Sequence, residues 1–223
     1  ADERISRKTV KAIDIFKRLM VSQLETGNPF LFYRDEVNRR NPNKHAGMIY
    51  SSNLCTEILQ NMSPTRMIQE IVSGDQIVTT RRAGDFVVCN LSSINLGRAI
   101  LPQEGQGDLI LDVLERLIPI QVRMLDNVID INYYPTDKAR DANLAHRPVG
   151  LGVMGFQDAL YKLGYAYGSD HAIRIASEFQ EAIACFAIKA SALLAAERGQ
   201  YSSYAGSLWD RGIFPQDSAE TLM

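Results

Sequence analysis

The sequence predicts an α/β fold, and three observations carry that expectation. Apolar residues recur at helical spacing over 109–131 and again over 170–198. Short apolar runs at 86–91 and 149–154 have the length of buried strands. Strand-like and helix-like stretches alternate along the chain, the pattern that builds a parallel sheet covered by helices. The elements are too few and too irregular for a closed eight-fold barrel. No internal repeat, low-complexity tract or linker divides the chain, so it reads as an incomplete α/β body.

Taken in order, residues 3–25 form an amphipathic helix with Ile5, Val10, Ile13, Phe16, Met20 and Leu24 on one face, ended by Gly27 and Asn28-Pro29. The run NPFLFY at 28–33 suits a buried strand, and the polar stretch 34–47 a loop. Residues 48–58 are a mixed segment. Ser63-Pro64-Thr65 opens a short helix through Val72, and 76–82 is an exposed hairpin or loop. FVVCNL at 86–91 is strand-like, 90–95 turns polar, and Leu96-Gly97 continues it. A turn follows at 103–108. Pro119 should kink the 109–131 helix, because it lacks an N–H and crowds the preceding turn. Residues 136–145 form a short helix, 149–154 a strand with glycines for close backbone approach, and 156–163 a helix stopped by Gly164. Asp170 caps the long helix that Gly199 ends, and the tail holds Trp209.

The 223 residues are 46% hydrophobic and 22% charged, which excludes a disordered or fibrous chain. A formal net charge of -2 gives no basic excess, hence no expectation of DNA or RNA binding. No uninterrupted apolar run reaches the ~18 residues of a spanning helix, and the N-terminus lacks the apolar core of a secretory signal. No membrane association is expected, and the reading is cytoplasmic. Missing an initiator Met, the chain is expected to be processed or trimmed.

The three cysteines, Cys55, Cys89 and Cys185, form neither a disulfide framework nor a zinc-type cluster, so no metal is expected. In an extended segment Asn53, Cys55 and Glu57 share one side, with Leu54, Thr56 and Ile58 packed on the other. An amide, a thiol and a carboxylate suit a bound substrate: a reactive sulfur, a group that moves a proton, and one that fixes an oxygen. The alternative is an exposed loop in which Asn53 and Glu57 are solvated and Cys55 is incidental. Cys89 has apolar neighbours and reads as buried, with a position beside Cys55 left open. Cys185 reads as core packing in an Ala-rich helix.

SNLCTEI at 52–58 and VVCNLSSINL at 87–96 together resemble the large subunit of class I ribonucleoside-diphosphate reductases. RKTVKAIDIF before NPFLFY, LDNVIDINYYP and RPVGLGVMGFQDAL resemble that family in the same order, so the likeness covers essentially the whole chain. It implies a ten-stranded α/β barrel of two five-stranded halves, with a finger loop carrying N-x-C-x-E. Cys55 is then the thiyl radical that takes the ribose 3′ hydrogen, Glu57 the base for the 3′-hydroxyl, and Asn53 the group that holds the substrate hydroxyls. Ser52 and Cys89 are expected to contact substrate as well, Cys89 being one of two reducing thiols. The product is a 2′-deoxyribonucleoside diphosphate.

The same resemblance exposes gaps. The second reducing cysteine, the C-terminal cysteine pair, the radical-relay tyrosine pair, the diphosphate-binding segment and the effector loops have no counterpart here. The chain, residues 1–223, is therefore expected to be part of a catalytic barrel, as an excised piece or a split-gene subunit. Expected partners are the remaining large-subunit segments, a separate metal-containing small subunit that supplies the radical, thioredoxin or glutaredoxin as reductant, nucleoside triphosphate effectors bound elsewhere, and a second copy in a homo-oligomer. The chain itself is expected to bind no cofactor. A non-catalytic assembly module and a cobalamin-dependent reductase are the alternatives; the Leu before Cys55 looks like class I.

Overall fold

The computed structural model of the chain describes residues 6–99 and 109–220. Its centre is a pair of parallel strands, β3 (Leu91–Asn95) and β4 (Gly150–Met154), joined through helices. Between them lie α3 (Leu96–Ala99), α4 (Leu109–Ile131) and α5 (Asp137–His146), and after them α6 (Phe156–Leu163) and α7 (Asp170–Arg198). This strand–helix–strand unit bears out the α/β expectation. Among the described residues, extended strands pair only as this parallel couple and one antiparallel hairpin, apart from two isolated bridges.

The core is built where α4 packs on α7. Leu114, Ile118 and Val122 of α4 meet Ile175, Phe179, Ile183 and Leu194 of α7, with Ile94, Leu96 and Ala159 closing the cluster. Three- and four-residue spacing puts each set on one face. Cys185 falls two residues from Ile183, well round the helix, and is exposed. The core placement of Cys185 is therefore corrected: three- and four-residue spacing puts it on the exposed stripe of Arg174, Glu178, Glu181 and Lys189, which its alanine neighbours obscured. By length and composition α7 is also apolar enough to cross a membrane, which the count of uninterrupted apolar residues overlooked. One face of it is nonetheless a core face packed on α4.

Several local expectations are corrected. The first helix, α1, spans Ala12–Thr26, starting later than the apolar pattern suggested, and buries no residue. The 28–33 run is not a strand; Phe30 and Leu31 are exposed, with no neighbouring strand among the described residues to pair them. Within the expected loop lies α2 (Arg34–Arg40), supported by acidic residues in its first turn and by Glu36 pairing with Arg39 and Arg40 one turn on. Those two guanidinium groups hold the Glu36 carboxyl down to about 2. The helix expected at 63–72 is strand β1 (Arg66–Ser73), paired antiparallel with β2 (Gln76–Arg82). Gly74-Asp75 between two β-branched pairs is the hairpin signal that this reading passed over, and Gly74 has φ 61. FVVCNL is not a strand; regular pairing begins at Leu91, opposite Gly150. Ser169, not Asp170, caps α7 by accepting from the Ala172 N–H. The 103–108 turn lies outside the described residues.

The 109–131 and 156–163 helices appear as expected. Pro119 sits inside α4 on its exposed side, and helix continues through it. Proline forfeits one backbone hydrogen bond and costs up to ~3 kcal/mol against alanine. Pro119→Ala should stabilise the chain by about 1–2 kcal/mol, read as a higher urea midpoint with an unchanged m-value.

The chain exposes 16005 Å². A folded monomer of 24.9 kDa is expected to expose roughly 10,000 Å². Much of the excess is apolar: Ile13, Phe16 and Leu24 on α1, and Ile68, Val72 and Ile77 on the hairpin. A two-stranded hairpin exposed on both faces is marginal by itself. The surface is that of a body built to be covered.

Candidate active site

The cysteine-bearing segments are held by two isolated antiparallel bridges, Met48 to Met62 and Met62 to Phe86. Below them the hairpin root is pinched. Ser63 N–H donates to the Asp85 carbonyl at 3.1 Å, and Ser63 Oγ to Asp85 Oδ2 at 3.1 Å. A Cβ on Gly84 would lie 2.0 Å from the Ser63 carbonyl oxygen, so only glycine fits this crossing. Residues 49–61 thus leave and rejoin the body at one fixed point beside the segment that carries Cys89.

Within that arm, residues 53–58 form a tight turn, which corrects the extended geometry assumed from sequence. Thr56 N–H donates to the Asn53 carbonyl at 3.2 Å, and Asn53 N–H to the Ile58 carbonyl at 3.3 Å. Asn53 Oδ1 accepts from Ile58 N–H at 3.0 Å. Thr56 adopts φ 68, a left-handed conformation that β-branched residues avoid at a cost of order 1–3 kcal/mol. Ser52 Oγ lies within hydrogen-bonding distance of both the Asn53 carbonyl and Thr56 Oγ1. Leu54 at the tip is 89% exposed, not packed. Local polar bonds, not side-chain alternation, shape the turn.

Cys55 and Glu57 are exposed, while Ser52 and Asn53 are half-buried. Cys89 is exposed rather than buried, because the strand starts only after it. Its sulfur nevertheless has protein on one side. Partial burial pushes the Cys89 thiol up, as do the Glu57 carboxylate and Cys55, while the Asn53 side chain, by hydrogen bonding, draws it down. With Asn53 Oδ1 occupied by Ile58, its NH2 is the group that can donate to sulfur. All three residues of the 53–57 trio therefore act on Cys89. Each of the three cysteines is a free thiol. Among the described residues no cluster of His, Cys, Asp and Glu could hold a metal ion.

Sequence reading missed the residues that fasten this site. Asn90 donates from Nδ2 to the Leu125 carbonyl of α4 at 2.6 Å, and its own carbonyl accepts from Gly150 N–H at 2.9 Å. Cys89 thus adjoins a residue fixed by both α4 and β4. On the far side Arg147, at φ 43 after α5, pairs with Asp126 and Asp130 of α4, and Arg198 of α7 also binds Asp126. These bonds hold Asp130 below the usual carboxylate range. A cavity of about 350 Å³ opens beside this network, remote in sequence from the cysteine turn.

A third polar group ties the segment before the arm, and the end of α5, to the C-terminal loop. His45 Nε2 lies 2.8 Å from the Ser203 carbonyl, and His146 Nδ1 lies 2.7 Å from Ser203 Oγ. His146 Nε2 is buried without a hydrogen-bond partner. Charging the ring would bury an unpaired N–H, and desolvation lowers the His146 pKa; His45 adds to that effect and Asp85 opposes it. The unfolded chain then binds this proton more readily than the folded one. Stability from His146 is complete above the ordinary value of 6.5 and drains as pH falls through the lower folded value. Urea midpoints should drop between pH 7.5 and 5, and His146→Gln should flatten that slope.

A family model described as "Ribonucleotide reductase, barrel domain" matches residues 1–222. The ribonucleoside-diphosphate reductase subunit alpha of Chlamydia muridarum is 46% identical over 96% of the chain, an overlap covering 18% of that relative. The subunit alpha of Treponema pallidum is 41% identical over 96% of the chain and 25% of its own length. The large chain of Neurospora crassa is 37% identical over 95% of the chain and 20% of its own length. The chain thus spans a quarter or less of these relatives.

Proposed function

Because this chain belongs to the ribonucleotide reductase barrel-domain family, we propose that it supplies the radical-bearing part of a ribonucleoside-diphosphate reductase barrel. The observation that carries this reading is the grouping of Asn53, Cys55 and Glu57 around Cys89. In the proposed reaction a thiyl radical at Cys55 takes the 3′ hydrogen of the ribose, and Glu57 accepts the proton of the 3′-hydroxyl. Asn53 and Ser52 orient the substrate hydroxyls. Two thiols then supply the reducing equivalents: the 2′ C–O bond breaks, a C–H bond forms, water leaves, and the thiols close to a disulfide. Cys89 is one of them. Its raised pKa keeps it a protonated thiol at neutral pH, the form that has a hydrogen to give.

The second thiol belongs to another segment of the large subunit. So does the cover of the site: a thiyl radical needs surroundings closed to water, whereas Cys55 is exposed in this chain. In the full assembly we place the chain, residues 1–223, as part of a ten-stranded barrel, with 49–61 as its finger loop. A separate metal-containing small subunit generates the radical, and thioredoxin or glutaredoxin reduces the disulfide. Nucleoside triphosphate effectors bind elsewhere on the large subunit, and the site of action is the cytoplasm.

The test is complementation. Reduction of a ribonucleoside diphosphate should be absent with the chain alone. It should appear when the remaining large-subunit segments and a small subunit are added. No turnover under any such pairing would point to a non-catalytic assembly module, and dependence on cobalamin would point to a different reductase class.

A further inference from the structure

Gly150 opens β4 directly opposite Leu91. A Cβ built on it would lie 2.5 Å from Leu91 Cδ2 and 3.2 Å from Ile58 Cδ1. The missing side chain therefore leaves a notch, and two apolar groups fill it. One belongs to β3, just after Cys89. The other is Ile58, the residue that closes the cysteine turn through both of its backbone bonds to Asn53. The notch floor is itself fixed, since Gly150 N–H donates to the Asn90 carbonyl and Asn90 Nδ2 donates to α4.

We propose that Gly150, with Ile58 seated on it, is the positioning element that sets how closely the Cys55 turn approaches Cys89. The turn has few other anchors. Leu54, Cys55 and Glu57 are exposed, and its internal hydrogen bonds fix its shape but not its location on the body. The bridges at Met48, Met62 and Phe86 hold the base of the arm, several residues away. Ile58 in the Gly150 notch is the apolar contact that brings the turn down beside Cys89. A side chain at 150 would push aside the flexible tip of Leu91, 2.5 Å away, and crowd Ile58 at 3.2 Å, and with it Asn53. Gly150 touches no reacting atom in this scheme. The significance for catalysis rests on the radical reading above, whereas the geometry can be tested without turnover.

The experiment uses the chain with Cys185→Ser and a short bifunctional thiol reagent, dibromobimane, which becomes fluorescent on bridging two nearby sulfurs. Cys55 and Cys89 should cross-link readily in this background. Gly150→Val should slow bridging at least tenfold. Gly150→Ala should slow it a few-fold, and adding Ile58→Val, which removes Cδ1, should restore the rate. In Gly150→Val the pH midpoint for alkylating Cys89, followed by peptide mass spectrometry, should fall toward that of an ordinary thiol as the turn's burial of the sulfur, then Glu57 and Cys55, recede. Should Gly150→Val fail to fold, Ile58→Ala keeps β4 intact and should show the same slow bridging and lowered midpoint. Wild-type bridging and an unchanged midpoint in these variants, or no bridging in the background chain, overturns the proposal. Normal bridging in a complemented assembly that fails to reduce ribonucleotides would instead strike the functional reading alone.

Discussion

Replacing Cys55 with serine should reduce turnover in the complemented assembly by on the order of 10⁴-fold or more, about 5.5 kcal/mol of lost barrier reduction. Serine preserves size and polarity, so the turn held by Asn53, Thr56 and Ile58 should remain. What it removes is a bond weak enough to be cleaved homolytically and re-formed in each cycle, since an O–H bond is much stronger than an S–H bond. Unchanged circular dichroism and unfolding midpoint, with product formation at background, is the expected pair of results. Cys185→Ser serves as the control, because that thiol lies on the exposed side of α7; it should leave turnover unaltered. Turnover that survives Cys55→Ser would remove the radical assignment.

Leu114→Ala should destabilise the chain by about 3 kcal/mol, within the range of roughly 2–5 kcal/mol for emptying a buried leucine site. Leu114 is 0% exposed and belongs to the cluster between α4 and α7. With one face of the body uncovered, few other apolar contacts share the load. The thermal midpoint should fall by roughly 10 °C for a chain of this length. Leu117→Ala on the same helix is the comparison: its side chain is 41% exposed, and the loss should stay under about 1 kcal/mol. Equal losses at the two positions would mean that α4 is packed on a different face.

The strongest elements were legible because local and global signals agree in them. The helices at 109–131 and 156–163 carry periodic apolar faces, and Gly164 stops the second by taking a positive φ. The 149–154 strand was legible for the same reason. What failed was decided by neighbours. NPFLFY has the composition of a buried strand but finds no partner among the described residues. The 63–72 stretch began like a helix, yet the Gly74-Asp75 turn commits it to pair with 76–82. At the site, the types of residue were readable and their geometry was not. Side-chain alternation predicted a shared face for Asn53, Cys55 and Glu57, whereas hydrogen bonds from Asn53 and the left-handed Thr56 curl the chain instead. Asn90 and Ile58 carried no signal, since their importance lies in what approaches them. Gly150 stood among glycines already suited to close backbone approach.

The pinch at Ser63, Gly84 and Asp85 has a consequence for how this part of the protein tolerates change. It closes the hairpin off as a stalked loop whose two ends are fixed against each other. Residues inside a loop with clamped ends can be added or removed without moving what lies outside, and exposed tips accept insertions best. The number of residues between Cys55 and Cys89 is therefore free to vary while their placement is not. The tip at Gly74-Asp75 becomes a natural attachment point, where a fluorophore or affinity tag could report assembly of the barrel and leave the thiols undisturbed.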